Sequence, residues 1–174
     1  MKILLIADEP DPMLWEHLDR RRLEGVELIL SCGDLSARYL SFLTCFTTAP
    51  VVYVPGNHDT AYATQEPEGC LNADGQILQV CGVRILGLGG SMRYKPGPCM
   101  YTEREMEKRI QKLRFSLWRS KGFDILLTHS PMRGYGDMND LPHQGFACFQ
   151  PLLDTYKPSL FAFAHVHQEY NHRL

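Results

Sequence analysis

The strongest constraint in this chain is how its apolar residues are parcelled. They fall in seven short runs, each too brief for a buried helix and each closed by a turn former or by a side chain able to carry chemistry. The runs are KILLIA (2–7), VELILSC (26–32), VVYV (51–54), QILQV (76–80), VRILGL (83–88), DILLT (124–128) and SLFAFA (159–164). Helical patterns separate most of them, at 12–23, 35–47, 102–119 and 145–156. The Cys81-Gly82 pair between the fourth and fifth runs predicts a tight hairpin. Strand and helix in alternation, with one hairpin, predict an α/β domain with a largely parallel core sheet and one antiparallel element.

The third helical pattern opens on Thr102 with Glu105 three residues on, a capping box, and carries Met106, Ile110, Leu113 and Leu117 on one stripe. Its other face is rich in Arg and Lys interspersed with Glu103, Glu105 and Glu107, which reads as a solvated outer face. At 174 residues, without repeat or linker, the chain is expected to form one domain over 1–174. A formal charge of −2 offers no bulk attraction to nucleic acid or to an anionic membrane, so a phosphate site has to be built locally. Asp8 interrupts the first apolar run before it reaches the length of a secretory core, and no run approaches a membrane span. Six cysteines without CxxC spacing are expected as reduced thiols, which favours the cytoplasm.

In open α/β sheets chemistry collects beyond the carboxyl ends of the strands. Here those ends deliver Asp8, Gly33-Asp34, Asn57-His58, His129, and His165 with His167. A lone histidine at a strand end is ordinarily a satisfied polar residue, but oxygen donors and imidazoles gathered in this number suit borderline cations such as Mn, Fe or Zn. The ligand count implies two ions. His165 and His167 flank Val166, so on extended backbone both rings project to one side. A glycine before each of Asp34 and Asn57 allows a sharp turn and close approach. Competing motifs fail: GLGGSM (87–92) lacks the last glycine of GxGxxG, and GxxxxGK[ST], GxSxG and HExxH are absent from the sequence.

Asp8, Gly33-Asp34, Gly56-Asn57-His58-Asp59, His129 and His165-Val166-His167, in that order, resemble the calcineurin-like metallophosphoesterase superfamily. LLTHSPMRGYGD, HQGFACFQPLL and FAHVHQEY are similar to its small single-domain branch, which includes the brain metallophosphoesterases and bacterial members. The resemblance implies a four-layer αββα sandwich of two mixed sheets flanked by helices, and two-metal hydrolysis of phosphate esters, with phosphodiesters slightly favoured. It further implies that Asp34 bridges the ions, that Asp8 and His167 hold one, and that Asn57, His129 and His165 hold the other. His58 is then the catalytic imidazole, binding phosphate and assisting the leaving oxygen, and Asp59 supports it.

Two departures bear on these expectations. Where the family carries Asp-x-His, this chain has Asp8-Glu9-Pro10, so one ion loses a ligand and is expected to bind more weakly, with water, Glu9 or Asp11 filling the place. Only seven residues follow His167, which implies a C-terminally shortened chain with an incomplete second sheet. His143 and Arg93 are further candidates for substrate contact or support, whereas His17 and His172 read as surface residues. The expected partner is a small phosphate ester, with no strong nucleic-acid signal, no membrane signal and the oligomeric state open. The alternative is a scaffold that keeps the fold, binds protein partners and has lost hydrolysis. Pro10 favours it; His58 and six retained ligands oppose it, because a cluster of unpaired polar groups has no structural use.

Overall fold

The computed structural model describes residues 1–17 and 19–166. In chain order the elements are β1 (Ile3–Ile6), α1 (Pro12–Trp15), β2 (Leu28–Ser31), α2 (Ala37–Thr44), β3 (Val51–Tyr53), β4 (Leu71–Asn72), β5 (Ile77–Val80), β6 (Val83–Leu88), β7 (Ser91–Met92), β8 (Met100–Tyr101), α3 (Glu103–Lys112), α4 (Arg114–Ser120), β9 (Ile125–Thr128), α5 (Phe149–Tyr156) and β10 (Leu160–Ala162).

The strands form two principal sheets rather than one core sheet. The first is parallel throughout, in the order β1-β2-β3-β4. The second is mixed, in the order β10-β9-β6-β5, with only the β5–β6 hairpin antiparallel. Each inner strand is apolar on both faces because each face meets a different layer. Leu28, Leu30, Val52 and Val54 from the first sheet pack against Ile85, Ile125, Leu127 and Ala162 from the second, making the centre of the sandwich. The alternate residues Ile29, Val51 and Tyr53 face Leu14, Tyr39, Leu40 and Leu43 on α1 and α2. Leu86, Leu88 and Leu126 face Met106, Leu113, Leu117, Phe149 and Leu152 on α3, α4 and α5. The result is the four-layer αββα arrangement.

The hairpin turns at Cys81 and Gly82, whose φ angles of 50° and 79° match a primed turn following the strand twist. The capping box is present: Thr102 caps Glu105 N, and the Glu105 carboxylate returns to the Thr102 N–H at 2.8 Å. All four helical spans are shorter than their periodicity predicts, with α2 covering only 37–44 of the 35–47 pattern. The 12–23 pattern divides into α1 and a 3-10 turn at Arg20–Leu23, because Asp19 starts a new turn by accepting from Arg21 N. The 102–119 pattern divides at Leu113 into α3 and α4, and the 145–156 pattern begins only at Phe149. All six cysteines are free thiols. Among the described residues no helix is long and apolar enough to cross a membrane.

Candidate metal centre and active site

Both sheets contribute to one point. Asp34 follows β2, Asn57 follows β3, His129 follows β9 and His165 follows β10, so the first two come from one sheet and the last two from the other. Ligand atoms of Asp34, His129 and His165 all lie within 4.8 Å of one another. His129 Nε2 stands 3.0 Å from Asn57 Oδ1, 3.0 Å from His165 Nδ1 and 3.3 Å from Asp34 Oδ2.

The tautomers make this a repulsive arrangement. His129 Nδ1 donates to Cys32 O at 2.7 Å, and His165 Nε2 donates to Pro142 O at 2.7 Å. Each neutral imidazole thus has its only N–H tied to a carbonyl, and its bare nitrogen faces the other's bare nitrogen. Asn57 Nδ2 donates to Tyr94 Oη at 3.4 Å, which turns Oδ1 toward the same point. Four lone-pair donors converge with no proton of their own to share, and His129, His165 and Asn57 are 0%, 6% and 3% exposed. Burying such a set costs free energy unless a positive charge sits among them. Cis donors on a divalent transition ion with bonds of about 2.1 Å stand about 3 Å apart, which is the separation observed. The residues fit a metal ion.

A proton competes for the same place. Burial opposes charge on His129, but the adjacent Asp34 carboxylate outweighs it and raises the imidazole's proton affinity. Burial, reinforced by His129, pushes His165 down to about 4. Burial also works against the Asp34 charge, yet the His129 and His58 contacts prevail and hold its carboxyl below the ordinary range.

The chain folds this way locally because two glycines let turns interlock. A Cβ on Gly33, whose φ is +96°, would lie 2.4 Å from Gly56 N, and one on Gly56 would lie 2.1 Å from Asp34 Oδ1. Asp8, Asp34 and His165 themselves adopt left-handed φ angles of 60°, 56° and 71°, a region side chains enter only where their surroundings compel it.

The other predicted residues fall in different places. Asp8 ends β1 and donates its N–H to Gly33 O at 3.0 Å, beside the cluster and near enough for its charge to act on His129. His167 and His172 lie outside the described residues. His58 is exposed, and its backbone N–H donates to Asp34 Oδ1 at 2.8 Å. Asp59 Oδ2 accepts from Gly56 N at 2.8 Å and Asp34 N at 2.7 Å, so it pins the two ligand loops together rather than holding the His58 ring. Burial pushes its carboxyl up to about 6. His143 reaches the site's edge: its ring lies 5.4 Å from that of His165, and its Nδ1 is 2.6 Å from Asp140 Oδ2.

Arg93 does not reach the cluster, because its guanidinium donates to Met100 O at 3.1 Å and Glu105 Oε1 at 3.0 Å, fastening β8 and the start of α3. Of the carboxylates considered as replacements for a ligand at Pro10, Asp11 is engaged in capping Met13 N at 2.8 Å and pairing with Arg22 at 2.7 Å. Glu9 is exposed. His17 is exposed, as expected. The sequence reading missed Tyr94 as a partner of Asn57 and the carbonyls of Cys32 and Pro142 as anchors of the imidazoles; only the position of Tyr94 between turn formers hinted at its role.

Larger hollows, of about 530 Å³ beside Trp15 and Phe42 and about 660 Å³ beside Arg20 and Phe46, lack this convergence of donors. A cleft of about 390 Å³ opens beside the cluster and is lined by Asp34, Ser36, Arg38, His58, Asp59 and Gln65, among others. Among curated proteins none matches this chain. A family model described as calcineurin-like phosphoesterase matches residues 1–169. Every strand and every donor described above lies within that span, and the chain belongs to the calcineurin-like phosphoesterase family.

Proposed function

We propose that this chain hydrolyses phosphate esters using two divalent transition-metal ions, Mn, Fe or Zn, and that it favours phosphodiesters over monoesters. The observation that carries the reading is the convergence of three buried donors, Asn57, His129 and His165, with the partly buried Asp34 carboxylate, bordering a cleft that exposes an imidazole. Family membership supports metal-dependent phosphoester hydrolysis in general. The diester preference rests on the likeness to the small single-domain branch.

Asn57, His129 and His165 would hold one ion, Asp34 would be shared, and Asp8 with His167 would hold the other, more weakly because Pro10 cannot ligate. When bound, the ions supply Lewis acidity that activates water near neutral pH and offsets charge on the phosphate. The chain's own residues do the rest. Asp34 fixes the His58 backbone through Oδ1, so the residue that bears the imidazole is held beside the shared carboxylate. From there His58 holds a phosphoryl oxygen and delivers a proton to the leaving oxygen. Asp59 keeps the Gly56 and Asp34 turns in register. Asp140 orients His143, leaving its Nε2 to contact substrate from the His165 side.

The test is hydrolysis of a matched aryl phosphate monoester and diester with Mn, Fe, Zn or a chelator, beside His58→Ala. Metal-dependent turnover is expected, with kcat lowered about 10²- to 10⁴-fold in the variant while its metal content stays unchanged. Absent or metal-independent turnover in folded, metal-loaded protein would instead assign the fold to a scaffold for protein partners.

A further inference from the structure

The helix pair on the outer face of the second sheet carries a surface that hydrolysis does not use. Phe115 and Trp118 on α4 are 69% and 75% exposed, and their ring centroids lie 5.8 Å apart. Leu117, between them, is buried and anchors α4 to the core with Leu113 and Met106. The aromatic pair therefore points outward from a firmly seated helix. An isolated exposed apolar residue is unremarkable, but two adjacent aromatics on one helical turn mark a contact surface.

The charges around the pair identify what it contacts. Lys108, Lys112, Arg114, Arg119 and Lys121 are all exposed, and no acidic residue occurs from 108 to 123. Of the acidic residues of α3, Glu105 pairs with Arg93 and Glu103 with Arg133 at the start of the helix, and Glu107 lies exposed one residue before Lys108. Arg109, the remaining cation of this segment, is partly buried against Asp74. A chain with a net charge of −2 thus places five exposed cations in the segment 108–121 that also carries the two exposed aromatic rings.

We propose that this face docks the protein on an anionic lipid bilayer, with Phe115 and Trp118 entering the headgroup boundary and the five cations meeting lipid phosphates and carboxylates. Aromatic rings beside Lys and Arg on the convex face of a helix suit a flat, negatively charged interface. A single nucleic-acid strand calls for a groove with bases stacked on aromatic rings, and the hollow of about 500 Å³ beside Ser116, Arg119 and Arg84 includes neither Phe115 nor Trp118. A second copy meeting this face about a twofold axis would bring like charges together. Docking also leaves the metal centre clear: α4 leads into the start of β9, whereas the donor cluster forms beyond its end. The bilayer is an anchoring surface here, and its lipids are not the substrate.

The experiment uses the full chain with vesicles of phosphatidylcholine alone, or with about one-third phosphatidylserine. Expected is at least about tenfold stronger partitioning onto the anionic vesicles, lost in high salt. Tryptophan emission should shift to the blue on binding, and the shift should vanish in Trp118→Ser, which keeps Trp15. Phe115→Ser with Trp118→Ser should bind about tenfold more weakly, with an unchanged melting temperature and unchanged turnover of a soluble aryl phosphate. Equal or negligible partitioning onto both vesicles overturns the proposal, as does binding with no change at Trp118. Displacement from vesicles by a single-stranded oligonucleotide at equal charge concentration would reassign the face to nucleic acid. A doubling of mass in solution that the paired substitution abolishes would reassign it to self-association.

Discussion

The two sides of the metal centre are built to different standards. On one, Asn57, His129 and His165 each have a second contact that aims the ligand atom: Tyr94 for the amide, and the Cys32 and Pro142 carbonyls for the rings. On the other, Pro10 stands two residues after Asp8, and the nearby Asp11 is diverted to the start of α1. Ligand atoms already aimed need little reorganisation when an ion arrives, and partners behind the ligands commonly account for 10- to 100-fold in affinity. On the two-ion reading proposed above, the contrast predicts one tightly held ion and one exchangeable ion, with Asp34 common to both.

The most severe way to break that contrast is to remove the shared member. Asp34→Asn should abolish turnover and strip both ions, whereas Asp8→Asn should cost about one ion per chain and leave the other bound, as metal analysis after gel filtration would read. Equal losses from the two variants would erase the distinction. Next in size is Gly56→Ala, whose Cβ would overlap the Asp34 carboxylate. It should destabilise the fold by about 3 kcal/mol in denaturant melts, the range of buried steric conflict.

A pH effect of about 2 to 3 kcal/mol follows from Asp59 in metal-free protein, since its folded value near 6 exceeds the ordinary 3.8. The folded state binds this proton more tightly, so its contribution is complete below about 4 and is lost as pH rises through about 6. Asp59→Asn, which keeps an oxygen for both backbone N–H groups, should flatten stability across that window. Sharpening the contrast from the weaker side, Pro10→His should tighten the exchangeable ion about 10- to 100-fold in a metal titration. The smallest effect is expected from Tyr94→Phe, a loss of about threefold in affinity for the tighter ion, in keeping with a single long hydrogen bond.

The side chains that strand ends bring together were legible because the apolar runs stop just before them: Asp34, Asn57, His129 and His165 are each within four residues of a strand terminus. The glycines before Asp34 and Asn57 were legible too, since close approach leaves glycine little competition. The division into two sheets came from the motif resemblance and not from the apolar runs, because a strand apolar on both faces looks the same whether its neighbours are helices or another sheet. Two-residue strands such as β4, β7 and β8 are too short to show a period. The carbonyls that fix the imidazoles have no signature at all, because every residue carries one. Arg93 misled for a related reason: its loop was visible, but its attachment to Glu105 across eleven intervening residues was not.

The left-handed backbone at Asp8, Asp34 and His165 has a consequence for how such a chain is engineered or drifts. Glycine at any of the three would relax the main chain, and at the buried His165 it would also remove a polar group that folding alone disfavours. Directed selection for thermal endurance alone should therefore enrich replacements at the very positions to which the proposed function assigns metal binding. A screen that rewards survival on heating but never assays turnover would be expected to yield sturdier, inert proteins by the shortest mutational route.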